Sequence, residues 1–330
     1  MPTRKTPIVV FAGVMALAVG LAGIAVARPG PNQQQPSVQQ PPAQAPTIRA
    51  EVSLVNLFVT ARDKNKRIVP DLTQNDFRVF EDNQEQKIAF FSRETALPIT
   101  LGLLIDTSGS EDRRLPAEQE AASRFLHRVM RKGDEALVIS FDIDADLLAD
   151  FTEDVSQLDA AIRRARINAP YAPVTPTTFP TNTGGTHFYD AIYAACHDKL
   201  SEEAGRKALV IITDAYDEGS KLRVEEAIEA AQRTDTVVHI LLVYDPGYPN
   251  GGGVAKKIAD ETGGRMIVVG NEKHLEEAFD QISEELRSQY TLGYYPTNTS
   301  RDGRFRKIKV EVGRKDVKTL TRKGYYAPQS

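Results

Sequence analysis

Between positions 52 and 60 the side chains alternate, with Val52, Leu54, Asn56, Phe58 and Thr60 on one face and Ser53, Val55, Leu57 and Val59 on the other. A period of two predicts β-strand. Turn-forming residues at 63–66 and 81–84 divide the stretch up to Phe91 into short strands. From Ile99 the pattern changes. Apolar runs at 99–105, 136–141, 208–213, 237–243 and 266–269 alternate with helical periodicity at 115–131, 155–166, 188–200, 221–234, 254–262 and 274–288. Apolar strands separated by amphipathic helices pair in parallel through right-handed crossovers, which predicts a doubly wound sheet. The run Leu147–Phe151 follows its neighbour too closely for a crossover and is expected as an antiparallel edge strand. Strand character returns at 290–295, 305–312 and 317–322. About 45 residues of N-terminal β pattern bury too little surface to stand alone. The expected fold is therefore α/β, with a mostly parallel Rossmann-like sheet (96–288) inserted into a small β-sandwich built from 47–95 and 289–330.

Composition changes little in that picture except at the N-terminus. With 330 residues, 41% apolar and 26% charged, the chain has ordinary globular composition. Residues 1–27 carry only Arg4 and Lys5 as charged side chains, followed by an uncharged stretch ending in Ala25-Val26-Ala27. That arrangement predicts an export signal or a retained anchor, with membrane contact only through residues 8–27. Residues 28–46, rich in Pro and Gln, predict an extended linker. The expected location is periplasmic or extracellular. The formal charge of −4 gives no electrostatic reason to seek nucleic acid. One cysteine, Cys196, leaves no disulfide to staple the fold, and its spacing from Tyr189, Ile192 and Tyr193 predicts core packing.

Open α/β sheets bind ligands at the carboxyl ends of their strands. The first strand of the α/β part ends in Asp106-Thr107-Ser108-Gly109-Ser110, a later one in Thr213-Asp214, and Gly184-Gly185 introduces Thr186 before a helix. Hydroxyl and carboxylate oxygens suit hard cations, Mg2+ first and Mn2+ or Ca2+ as alternatives. Ser108 and Ser110, two apart in a turn, can point into one concavity and ligate directly, while Asp106 and Asp214 supply negative charge and accept hydrogen bonds behind them. A coordination position left open would take a carboxylate from another protein.

Asp106-x-Ser108-x-Ser110, Gly185-Thr186 and Ile212-Thr213-Asp214 together resemble the metal-ion-dependent adhesion site of the von Willebrand factor A domain over residues 96–288. Gln289-Tyr290-Thr291-Leu292-Gly293-Tyr294-Tyr295-Pro296 and the closing Arg322-Lys323-Gly324-Tyr325-Tyr326 resemble exported bacterial relatives of that domain, the acidobacterial type included. The resemblance implies metal-dependent protein binding, a partner presenting Asp or Glu, and no catalysis.

Competing readings are weaker. A phosphate-ester hydrolase with Asp106 as nucleophile wants a second carboxylate where Ser108 stands, and a structural envelope protein would use the metal for stability alone. Asp142, Asp144, Asp146, Asp150 and Glu153 fall at calcium-loop spacing, but Leu147 occupies the glycine position and the flanks read as strands. Arg301, Arg304, Arg306, Lys307 and Lys309 are expected on solvated strands and turns. The loop 168–185, with Tyr171 and Phe179, and the loop 244–253, with Tyr244 and Asp245, are expected to select the partner.

Overall fold

Alternating burial along β1 (Val55–Asp63), with Val55, Leu57, Val59 and Ala61 all inward, begins a β layer that continues through β2 (Phe77–Glu81), β3 (Gln84–Gln86) and β4 (Ile88–Arg93). The α/β part follows as β5 (Ile99–Asp106), α1 (Leu115–Val129), β6 (Glu135–Phe141), β7 (Ala145–Thr152), α2 (Val155–Ile162), α3 (Phe188–Ala194), β8 (Arg206–Thr213), α4 (Val224–Arg233), β9 (Thr236–Val243), α5 (Gly252–Thr262), β10 (Met266–Val269) and α6 (Glu272–Leu286). Four strands close the chain: β11 (Tyr290–Tyr294), β12 (Phe305–Val312), β13 (Val317–Leu320) and β14 (Gly324–Tyr326). This computed structural model describes residues 54–93, 97–167, 185–244 and 249–329. The expected signal and linker segments, Tyr171, Phe179 and Asp245 lie outside the described residues.

The central sheet runs β10-β9-β8-β5-β6-β7, parallel except for β7, which pairs antiparallel with β6 at the edge. Its strands are apolar on both faces because both are covered. Leu101, Leu103, Ile105, Val210 and Ile212 pack against α1, α2 and α6, whereas Leu104, Leu209, Ile211 and Ile240 pack against α3, α4 and α5. Chain order reverses between β5 and β8, where Ile105 stands beside Ile212. Helix α3 continues as a π-helical stretch, Ala195–Leu200, which buries Cys196 in the core. Burial pushes that thiol up to about 12, so it is an inert packing residue.

The two ends of the chain form two four-stranded sheets, β13-β1-β11-β4 and β14-β12-β2-β3, each built from both termini. Their inner faces share one core of Leu57, Val59, Val79, Tyr290, Leu292 and Ile308 among others. Buried Glu81 on β2 accepts hydrogen bonds from the hydroxyls of Tyr294 at 2.7 Å and Tyr325 at 2.9 Å, so one carboxylate holds three strands in register. The α/β part is thus inserted into a small β-sandwich.

Two details depart from the sequence pattern. The strand expected at 317–322 ends at Leu320, and after a turn at 321–323 the chain adds a further strand, β14, that pairs with β12. Arg306 is buried, not solvated: its guanidinium pairs with Asp302 at 2.9 Å and reaches the Ser300 carbonyl.

Candidate metal centre

The reversal between β5 and β8 brings the ends of both strands to one crevice. Asp106, the last residue of β5, is fully buried. Its Oδ1 accepts the Ser108 backbone N–H at 2.9 Å and its Oδ2 accepts the Thr213 hydroxyl at 2.6 Å. The carboxylate of one strand is therefore fixed by the final residue of its neighbour. Beyond it, the Ser108 and Ser110 hydroxyls lie 3.1 Å apart, near the spacing of adjacent ligands around one small cation. Ser108 is buried and Ser110 exposed, so the cluster opens to solvent at Ser110.

Asp214 leaves β8 through a turn in which its Oδ1 accepts the Tyr216 backbone N–H at 2.9 Å. The intervening Ala215 takes the left-handed conformation, φ 55°, which costs an L-residue about 1 kcal/mol or more. Gly251 makes this turn possible: its N–H donates to the Asp214 carbonyl at 2.9 Å, and a Cβ there would fall 1.6 Å from the Ala215 oxygen. Tyr216 emerges exposed beside the crevice.

Thr186 is held from two sides. Its backbone exchanges hydrogen bonds with Glu218, at 3.2 Å and 2.9 Å, and the next N–H, of His187, donates to the Asp142 carbonyl in the β6–β7 turn. A Cβ at Gly185 would sit 2.5 Å from the Glu218 oxygen, so the glycine permits the approach. Thr186 is buried, and His187 is half-buried and packed over Gly219. Asp142 and Asp144 form a tight strand-to-strand turn, with the Asp142 N–H donating to the Asp144 carbonyl. Tyr244 is half-buried against the α3–α5 core.

Two carboxylates that the motif reading passed over complete the cluster. Glu111, in the short 3-10 turn after Ser110, and Glu118, in the first turn of α1, are both buried to within 1%. One carboxylate oxygen from each of Asp106, Glu111 and Asp214 lies within 4.8 Å of the others. In sequence, Glu111-Asp112-Arg113-Arg114 reads as a solvated charge run. The available signal was spacing, because Glu111 and Glu118 fall on the stripe of Leu115, Ala122 and Phe125 that faces the core.

Burial pushes the Asp106 carboxyl up to about 7, opposed by hydrogen bonds from Ser108 and Thr213. Burial likewise raises Asp214, Glu111 and Glu118; Glu118 and Asp106 raise Glu111 further, and Asp106 raises Glu118. The nearest counter-charge, Arg114, stands 4.0 Å from Glu111. Four acidic groups sharing one desolvated crevice repel each other unless protons or a cation intervene. With oxygen donors only, one edge of the sheet and a mouth at Ser110, the residues fit a hard divalent cation.

The family model described as von Willebrand factor type A domain matches residues 101–217. No curated protein matches the chain. Among solved structures, the chain is similar to a von Willebrand factor type A protein from Catenulispora acidiphila at 13% identity, covering 78% of this chain and 76% of that one with a TM-score of 0.49. It is also similar to the conserved hypothetical protein BatB from Bacteroides thetaiotaomicron at 18% identity, over 58% of this chain and all of that one, TM-score 0.43. A third is the vWF domain of the type V pili tip protein Mfa5 from Porphyromonas gingivalis, 14% identical over 58% of this chain and 95% of that one, TM-score 0.43.

Proposed function

We propose that this chain, which carries a von Willebrand factor type A domain, is an exported protein-binding module that grips a partner's Asp or Glu side chain through a divalent cation. Ser108, Ser110 and Thr186 ligate the cation, and Asp106 and Asp214 supply charge from behind. The observation that carries this reading is the crevice between β5 and β8, where buried carboxylates lie behind two hydroxyls 3.1 Å apart that open to solvent. A bound cation supplies there the charge that a partner's carboxylate would meet. Both Asp106 oxygens already accept hydrogen bonds, which suits a positioning group better than a nucleophile. The loops 168–185 and 244–253, together with exposed Tyr216, choose the partner.

Export rests on the N-terminal pattern; among the described residues, no helix is long and apolar enough to cross a membrane. Calorimetric titration with Mg2+ and Mn2+ tests the reading. Wild type is expected to bind one equivalent and Asp106→Ala none, and capture of any partner is expected to vanish in chelator and when both loops are replaced by Gly-Ser linkers. Equal affinity in wild type and Asp106→Ala would overturn it, and turnover of a phosphate ester lost in Asp106→Asn would favour the hydrolase.

A further inference from the structure

The D-x-S-x-S pattern contributes hydroxyls toward the cation and leaves its carboxylates behind them. This chain adds a carboxylate that the pattern does not contain. Glu111 follows Ser110 directly, and the 3-10 turn over Gly109–Glu111 curls its side chain back under the crevice instead of out to solvent.

Three facts define its situation. Glu111 is fully buried. Apart from the neighbouring carboxyl of Glu118, neither of its carboxylate oxygens has a hydrogen-bond donor within reach among the described residues, and Arg114 approaches only to 4.0 Å. One of its oxygens shares a 4.8 Å cluster with oxygens of Asp106 and Asp214. Asp106, by contrast, is fully engaged by Ser108 and Thr213, and Asp214 is held by Tyr216. A buried carboxylate without a donor is costly to keep, and Glu118 beside it is a second acid that adds repulsion. A cation in the crevice answers the deficit at Glu111 directly.

We infer that Glu111 is a direct carboxylate ligand of the divalent cation, so that this chain holds its metal tightly before any partner arrives. The inference rests on the metal reading of the crevice. It assigns the anionic ligand to the chain itself, so a partner's carboxylate adds to a site already bearing one and is not needed to retain the ion.

Mn2+ titration of the full chain, read by electron paramagnetic resonance, tests it with wild type, Glu111→Gln and Asp106→Ala. Water-proton relaxation then counts the waters on the bound ion in wild type and Glu111→Ala. Glu111→Gln is expected to bind at least about tenfold more weakly, and Glu111→Ala at saturating Mn2+ to carry one more bound water. Melting without metal controls for folding, and removing a buried acid from a crowded acidic crevice is expected to leave that melting temperature unchanged or higher. Equal Mn2+ affinity in wild type and Glu111→Gln, or an unchanged water count, overturns the inference while leaving the metal site standing. Absence of Mn2+ binding in wild type overturns the metal site, and this assignment with it.

Discussion

At the scale of single residues, the crevice is organised by hydrogen bonds that cross between neighbouring strands. Thr213 contributes one hydroxyl proton to Asp106 and accepts the Ala215 N–H at 2.8 Å, so it ties the end of β5 to the turn after β8. Replacing it with valine keeps the shape and removes both bonds. Because groups behind a metal's ligands set their orientation, Thr213→Val is expected to weaken Mg2+ binding by roughly 10- to 100-fold, measurable by calorimetry, with little change in secondary structure by circular dichroism. The five motif positions stood out by residue type and spacing because they fall in the turns that leave predicted strands or enter a predicted helix. Glu111 was not, since a charge run carries no mark of the turn that buries it, and its burial depends on Glu118 and α1 closing over the same crevice.

At the scale of elements, the strands and helices were readable because two-sided burial demands continuous apolar runs and one-sided burial demands alternation. The π-helical end of α3 and the separation of β13 from β14 were not readable, because both follow from where neighbouring elements lie and not from local periodicity. Turns carry the most specific requirements. Gly251, in a loop whose sequence suggested partner contact, is also structural: it allows the start of α5 to press against the Asp214–Ala215 turn. Gly251→Ala is expected to force that turn apart, destabilising the protein by about 1–3 kcal/mol and weakening metal binding at the same time. Thermal denaturation and Mg2+ titration of the one variant check both effects. Loss of stability with unchanged affinity would show that the turn does not position Asp214.

At the scale of the whole molecule, the buried acids tie stability to pH, and the proposed cation would tie it to metal as well. Folded Asp106 keeps its proton to about pH 7, whereas in the unfolded chain it is released near 3.8. The folded state therefore binds more protons across that interval, and stability falls as pH rises through it. Glu111, Glu118 and Asp214 are raised as well and act with the same sign. Buried His239 acts oppositely: desolvation and the nearby Arg265 and Arg62 lower it from 6.5 to about 3, so below 6.5 its stabilising effect fades as pH falls. Above pH 6.5 the His239 contribution is complete and no longer opposes the fall that the carboxylates cause. In chelator, the melting temperature is expected to drop between pH 6.5 and 8, and Mg2+ is expected to restore it. A flat profile in chelator would mean that the four acids do not share one desolvated space.

The central claim is that one cation sits where β5 and β8 part, and anomalous diffraction from crystals grown with Mn2+ tests it most directly. The predicted result is a single strong peak at bonding distance, roughly 2.1 Å, from the hydroxyls of Ser108 and Ser110, with Thr186 and Glu111 also around it. A crevice without a peak, or a peak only at surface acids such as Asp144 and Asp146, would contradict it.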